Sequence, residues 1–309
     1  MSLVAFRYKL PLVAPIRLKG EWVSRREGIL LNRNGAWAEA APLPGFSRES
    51  LEEVIHELRS GDAKTPSLRF ALSALDLTDD LSNEDHEFSV PVNALVQGSE
   101  QEVREQCRRL VASNCRAVKL KVRDPDRDVE LVHRLREALG SDVSLRLDAN
   151  RAWSYDQAES FMQNVRDSRI EYIEEPLTTP DRLEELFEKT RVPYALDETL
   201  GEEDVPTKDF PSAAALIVKP TIVGGLERIQ QLVATKKPLV FSASYESGVG
   251  IALIARLTKM FSADVPVGLD TYSRLADDVL QDRLRFHDWR LTVPSSLAVR
   301  TDMLQLVEL

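Results

Sequence analysis

The stretch from Ala117 to Asp270 carries seven strand-like segments: AVKLKV (117–122), SLRLDAN (144–150), IEYIEEP (170–176), YALDE (194–198), LIVKP (216–220), VFSAS (240–244) and VGLD (267–270). Each holds a polar or charged residue at or near its end: Lys121, Asp148, Glu174, Asp197, Lys219, Ser244 and Asp270. These positions lie 22 to 27 residues apart, the length that one strand, one helix and two loops occupy. Repeated strand–helix units whose strands all end in chemistry describe a (β/α) barrel, where reactive groups gather at the C-terminal strand ends.

The remaining chain fits around that repeat. With 309 residues there is room for one barrel and a smaller domain. Residues 1–90 lack the rhythm. Alternating segments LVAFRYKL, EWVSRREGILLNR and AWAEAAPL predict antiparallel strands, with a hairpin turn in NRNG (32–35). Two helices follow, over 47–60 and 66–81, the first with Ser47, Ser50 and Glu53 as capping residues. PVNALV (91–96) reads as the first barrel strand and VPVGLD (265–270) as the eighth, with helices expected near 99–113, 126–139, 154–165, 181–189, 224–237 and 248–260. The tail LRFHDWRLTVP returns to strand character. The expected fold is α/β: a (β/α)7β TIM-like barrel over 91–279, with an α+β capping domain over 1–90 completed by about 280–309.

Composition excludes several classes. A net charge of −10 without a basic stripe argues against nucleic acid as a partner. No run of 18 apolar residues is present, so no membrane span is expected, and the N-terminal residues lack the apolar core of a signal peptide. Two cysteines, Cys107 and Cys115, are too few for a disulfide framework. A cytoplasmic protein is expected.

Strand side chains alternate faces, so Lys119 shares a face with Lys121, Arg146 with Asp148, Tyr172 with Glu174, and Ser242 with Ser244. If these faces point inward, one cavity gathers three carboxylates and three lysines. A lone buried ion costs several kcal/mol, roughly. A divalent cation would resolve the excess, with Asp148, Glu174 and Asp197 offering oxygens to a hard ion such as Mg2+, or Mn2+ in its place. Glu174 is assigned inward by parity with Tyr172, and adjacent Glu175 is left as a supporting partner. Lys121 and Lys219 then flank the acids from opposite sides. An amine lowered toward neutrality by a nearby cation can take a proton next to a carboxylate, while the metal steadies the enediolate.

At these residues the chain resembles the enolase superfamily, in its muconate-lactonizing-enzyme subgroup: Lys119-x-Lys121, Asp148, Glu174, Asp197 and Lys219 carry the likeness. A narrower resemblance, to the o-succinylbenzoate synthase family of proteobacterial type, rests on WAEAAPLPGFSRESL (37–51), LRLDANRAW (145–153), VKPTIVGG (218–225), FSASYESGVG (241–250) and GLDT (268–271). That resemblance implies a Mg2+-dependent hydro-lyase of menaquinone biosynthesis, acting on a small carboxylate, 2-succinyl-6-hydroxy-2,4-cyclohexadiene-1-carboxylate. It implies Lys121 as the base and then the acid, Lys219 as the cation facing the enediolate, and Lys119 as an orienting group. Arg146, Asn150, Ser242, Ser244 and Gly248 are the further substrate-binding candidates. It also implies a monomer. Residues 15–25, with Arg17 and Lys19, are the expected lid.

Two rivals stay open. The same lysines suit a 1,1-proton-transfer enzyme such as an N-acylamino acid racemase. A dipeptide epimerase would carry an acidic pair where Asp270 is followed by Thr271. A non-catalytic barrel scaffold would need a disabled metal or lysine position, and all are present. His56, His86, His133 and His287 fall outside the strand ends and read as surface residues.

Overall fold

The computed structural model describes residues 3–81, 86–96, 98, 100–111, 113–202, 206–262 and 264–309. The N-terminal unit contains β1 (Val4–Leu18), β2 (Glu21–Arg33) and β3 (Ala36–Ala40), then α1 (Leu51–Ser60) and α2 (Pro66–Leu81). The NRNG hairpin turns at Asn34 and Gly35, both with positive φ, as a tight two-residue turn requires. Ser50 caps α1 in a reciprocal box with Glu53, and Gly61 ends the helix in the left-handed region. Ser47 instead accepts from Leu43 N and belongs to the preceding turn.

After β4 (Phe88–Pro91) come the barrel units: β5 (Ala94–Val96), α3 (Glu100–Val111), β6 (Ala117–Lys121), α4 (Asp128–Leu139), β7 (Ser144–Asp148), α5 (Tyr155–Val165), β8 (Ile170–Glu174), α6 (Leu183–Thr190), β9 (Tyr194–Leu196), β10 (Ala215–Val218), the short α7 (Pro220–Val223), α8 (Leu226–Ala234), β11 (Leu239–Phe241) and α9 (Gly248–Phe261). The expected start of the first barrel helix at Ser99 lies outside the described residues. The seven parallel strands run in the order β11-β10-β9-β8-β7-β6-β5. The eighth segment forms no full strand. Val267 and Gly268 bridge Val92 and Ser242, and four backbone hydrogen bonds of 2.9–3.0 Å join both sheet edges. The ring is therefore closed.

The tail contains β12 (Arg285–His287), β13 (Arg290–Val293) and β14 (Gln305–Val307). Only β14 reaches the N-terminal sheet, whose order is β14-β1-β2-β3. The LRFHDWRLTVP segment instead pairs with β4 in a separate three-stranded sheet, because β13 finds the free edge of Phe88–Pro91. Among the described residues no helix is long and apolar enough to cross a membrane. Cys107 and Cys115 are buried and form no disulfide, and the four histidines are exposed.

Burial alternates as the strand period demands. Leu216, Val218, Leu239 and Phe241 face the helices in the main core, whereas Tyr172, Ala195, Ala215, Ile217 and Val240 fill the inside of the barrel. Lys119 and Arg146 share the level of Tyr172, and above it, at the strand ends, come Lys121, Asp148 and Glu174.

Candidate active site

Parallel pairing sets Lys121 beside Asp148 and Asp148 beside Glu174, one level of the barrel. Lys119, Arg146 and Tyr172 form the level beneath. Lys119 nonetheless reaches up: its Nζ lies 2.8 Å from Asp148 Oδ2 and 2.6 Å from Glu174 Oε2. Asp197, the residue just past β9, accepts from Lys219 Nζ at 2.5 Å. Asp148, Glu174 and Asp197 are all buried. Lysines thus make the pairings that the sequence reading reserved for a cation. Among the described residues no three acidic, histidine or cysteine side chains already close around an ion.

The charges are not balanced evenly. Burial works against the Lys119 ammonium, but Asp148, Glu174 and Asp197 outweigh it and hold its pKa well above the ordinary value. Lys219 is raised likewise, burial being overcome by Asp197 and Glu198. Lys121 is the exception. Burial lowers it, Asp148 only partly offsets this, and Lys119 and Lys219 push it further down. Its hydrogen-bond partner is neutral: Asn150 Oδ1 at 3.0 Å. Asp148 is held below the usual carboxylate range, its burial outweighed by Lys119 and Lys121. Glu174 is pushed up to about 7, because burial and the neighbouring Asp148 and Asp197 exceed what Lys119 returns.

The donor set therefore fits a hard divalent cation. It offers only carboxylate oxygens, from the ends of two adjacent strands and from the residue just past the third.

Supporting groups hold these side chains. Glu175 accepts from the backbone N–H groups of Asp197 and Thr199, both at 2.9 Å, and from Thr199 Oγ1 at 3.0 Å, so it organises the turn after β9. Arg151 Nε donates to it at 3.2 Å. Asn150 has φ +47, a left-handed backbone that asparagine tolerates better than most residues, and its N–H donates to Asp148 Oδ1 at 3.1 Å.

A cavity of about 640 Å3 opens at the strand ends. Its walls include Lys121, Asn150, Asp197 and Lys219, together with Arg17 to Gly20 of the β1–β2 hairpin, which fall within the segment 15–25. A smaller compartment of about 100 Å3 shares Lys121, Asn150 and Lys219 and continues past Lys119 and Asp148 to Ser242, Ser244 and Tyr245. Leu43 and Phe46, from the loop after β3, form its apolar side. The Ser244 and Thr271 hydroxyls in this compartment are buried and, among the described residues, without a partner.

Two candidates are placed elsewhere. Arg146 points inward, as parity requires, but lies too deep to line the cavity. Its guanidinium donates to Glu171 at 2.9 and 3.2 Å, to Pro266 O at 2.6 Å and to Asn93 Oδ1 at 3.3 Å. It is a bolt in the barrel floor. Gly248 is the first residue of α9, donates to Asp278 Oδ1 at 2.8 Å and does not line either compartment. A Cβ there would meet Asp278 Oδ2 at 2.3 Å and Leu280 at 2.5 Å, so the glycine serves packing.

Glu198, Tyr245, Leu43 and Phe46 also line the cavity, without having been singled out in the sequence. Glu198 accepts from Asn150 Nδ2 at 3.3 Å, and burial pushes its carboxyl up to about 7. Its signal was adjacency to Asp197: β9 stops at Leu196, so strict alternation no longer separates the two acids.

Comparison with known proteins adds the relationship. Residues 102–298 match the family described as enolase C-terminal domain-like, and residues 1–75 match that described as MenC, N-terminal domain. An o-succinylbenzoate synthase from Yersinia pseudotuberculosis serotype O:1b (strain IP 31758) is 32% identical over 304 residues, covering 89% of this chain and 92% of its own. Among solved structures, the o-succinylbenzoate synthase of Thermosynechococcus elongatus BP-1, complexed with Mg in the active site, superposes with a TM-score of 0.77 at 23% identity over 90% of this chain and 95% of its own. The N-succinyl Arg/Lys racemase of Bacillus cereus ATCC 14579 gives 0.80 at 16% identity over 98% and 97%. At these identities the two structures speak to fold alone.

Proposed function

The chain belongs to the o-succinylbenzoate synthase family of the enolase superfamily, and from that premise we propose that it catalyses the Mg2+-dependent syn-dehydration of 2-succinyl-6-hydroxy-2,4-cyclohexadiene-1-carboxylate to o-succinylbenzoate. The observation that carries this reading is the inequality of two lysines in one cavity: Lys121 is lowered beside a neutral amide, and Lys219 is raised beside a carboxylate.

In this reading the Lys121 amine takes the proton alpha to the ring carboxylate. The ammonium so formed returns that proton to the departing hydroxyl, which leaves as water from the same face. The ring becomes aromatic, and Lys121 ends as the free amine it began as. Lys219 keeps its proton and faces the enediolate as a fixed positive charge. Lys119 holds Asp148 and Glu174 in place from below. A divalent cation held by Asp148, Glu174 and Asp197, Mg2+ or Mn2+, would supply electrostatic stabilisation to the carboxylate as it gains charge. Ser242 and Ser244 take polar atoms of the succinyl chain. The same reading takes the protein as a cytoplasmic monomer.

A second reading has one observation in its favour: both lysines line the same cavity, as a 1,1-proton transfer on an N-acylamino acid would need. Purified protein supplied with Mg2+ and either substrate separates the two. Rising aromatic absorbance with the ring precursor is expected. No rise, with solvent deuterium entering the alpha carbon of an N-succinylamino acid, would overturn the dehydration in favour of racemisation.

A further inference from the structure

Arg26 lies on β2, in the N-terminal sheet, yet it is 1% exposed and far from the reacting groups in sequence. Its guanidinium is spent on three backbone carbonyls: Nη2 to Ala41 O at 3.0 Å, Nη1 to Pro42 O at 3.0 Å and Nε to Tyr245 O at 3.2 Å. The first two belong to the loop that presents Leu43 and Phe46 to the inner compartment. The third belongs to the barrel loop after β11 that presents Ser244 and Tyr245 to it.

Tyr245 has φ +63. A bulky residue in the left-handed region is strained, and such strain persists only where surrounding contacts over-determine it. Here they do. Arg26 holds the carbonyl of Tyr245 itself. The Ser244 N–H on one side donates to Glu246, and on the other the Ser247 N–H donates to Glu39 at 2.9 Å. Glu39, like Arg26, comes from the N-terminal sheet, and it also receives Gly250 N at 2.8 Å and Tyr8 OH at 2.5 Å.

We propose that Arg26 is a positioning residue for substrate specificity: by clamping the Ala41–Pro42 and Tyr245 carbonyls together, it sets the spacing between the two walls of the inner compartment. That compartment combines apolar surface from Leu43, Phe46 and the Tyr245 ring with the Ser242, Ser244 and Thr271 hydroxyls. It suits a short acyl chain with polar atoms on one side. This assignment of the substrate side chain rests on the proposed dehydration, but the clamp itself does not.

Arg26→Lys keeps the charge and loses the three-pronged fork. With the ring precursor, KM is expected to rise about tenfold or more, while kcat changes by less than about threefold. Backbone amides over 243–250 should exchange faster with solvent deuterium, with those of α4 unchanged. A folded Arg26→Lys variant with unaltered KM, or with unaltered exchange over 243–250, overturns the proposal.

Should Arg26→Lys fail to fold, Tyr245→Asn and Tyr245→Val decide. Both remove the ring, but asparagine accepts φ +63 and valine does not. The valine variant is expected to show a KM about fivefold or more above that of the asparagine variant and faster exchange over 243–250. Equal values overturn the clamp. If the unaltered protein turns over no ring precursor, the dehydration reading fails, and exchange over 243–250 still decides the role of Arg26.

Discussion

Lys121 donates to Asn150 Oδ1 at 3.0 Å, a neutral partner, although three carboxylates line the same barrel interior. Those carboxylates are taken by Lys119 and Lys219. Of the three inward lysines, Lys121 is the one that, among the described residues, makes no direct ion pair, and burial together with the neighbouring lysines leaves it the most readily deprotonated. The division of labour follows from reach: Lys119 starts one level lower and extends its full length to Asp148 and Glu174, while Lys121 starts at their own level.

Removing that amine should abolish turnover without harming the fold. Lys121→Ala is expected to lower kcat by about a thousandfold or more, while Asn150→Ala, which keeps the amine and loses its tether, lowers it about tenfold. Initial rates of aromatic absorbance, with circular dichroism as the folding control, check both. Equal rates for Lys121→Ala and the parent would rule out the proposed base.

Chelation tests the acid cluster through stability as well as activity. Saturating Mg2+ is expected to raise the melting temperature of chelator-treated protein by roughly 5 °C or more, since an ion bound only by the folded state stabilises it. Asp148→Asn should remove most of that rise. A melting temperature indifferent to Mg2+ in the unaltered protein would count against the cation site.

Arg146 and Gly248 should behave as framework, not as substrate contacts. Arg146→Met strands Asn93 Oδ1 and the Pro266 carbonyl and frees Glu171, a loss of about 3–5 kcal/mol. Gly248→Ala forces a methyl against Asp278 and Leu280, a cost of about 1–3 kcal/mol. Urea unfolding measures both losses. A large rise in KM with stability unchanged, in either variant, would return that residue to the binding site.

Glu246 predicts a pH dependence of stability. Burial and neighbouring Glu39 push its carboxyl from 4.5 up to about 7. The folded state therefore holds this proton more tightly than the unfolded chain. The resulting stabilisation is fully present below pH 4.5 and is lost as pH rises through 7, a swing of about 3 kcal/mol. Relative to the parent, Glu246→Gln should gain roughly 5 °C in melting temperature between pH 5 and pH 8. Parallel pH profiles for the two proteins would show that Glu246 is not the titrating group.

The pattern of strands and the identity of the central lysines and acids could be read from the chain because both are local properties. Alternation assigns Lys119, Lys121, Asp148 and Glu174 to one face, and a strand's last residue lies at its C-terminal mouth wherever the strand sits in the ring. Arg146 marks where such reasoning stops. Alternation puts it on the inner face but carries no depth: two residues below Asp148 is about 7 Å, far enough to exchange the cavity for Glu171 and Pro266.

Gly248 likewise lies in the loop region after β11 but packs against Asp278 and Leu280 and does not line the cavity. The partners of Lys119, the pairing of β13 with β4 and the reach of Arg26 from β2 to Tyr245 depended on packing between segments as far as 219 residues apart. No periodicity records which distant carbonyl a buried guanidinium will find. That choice is made by the assembled core, where every buried donor must meet an acceptor or lose its hydration uncompensated.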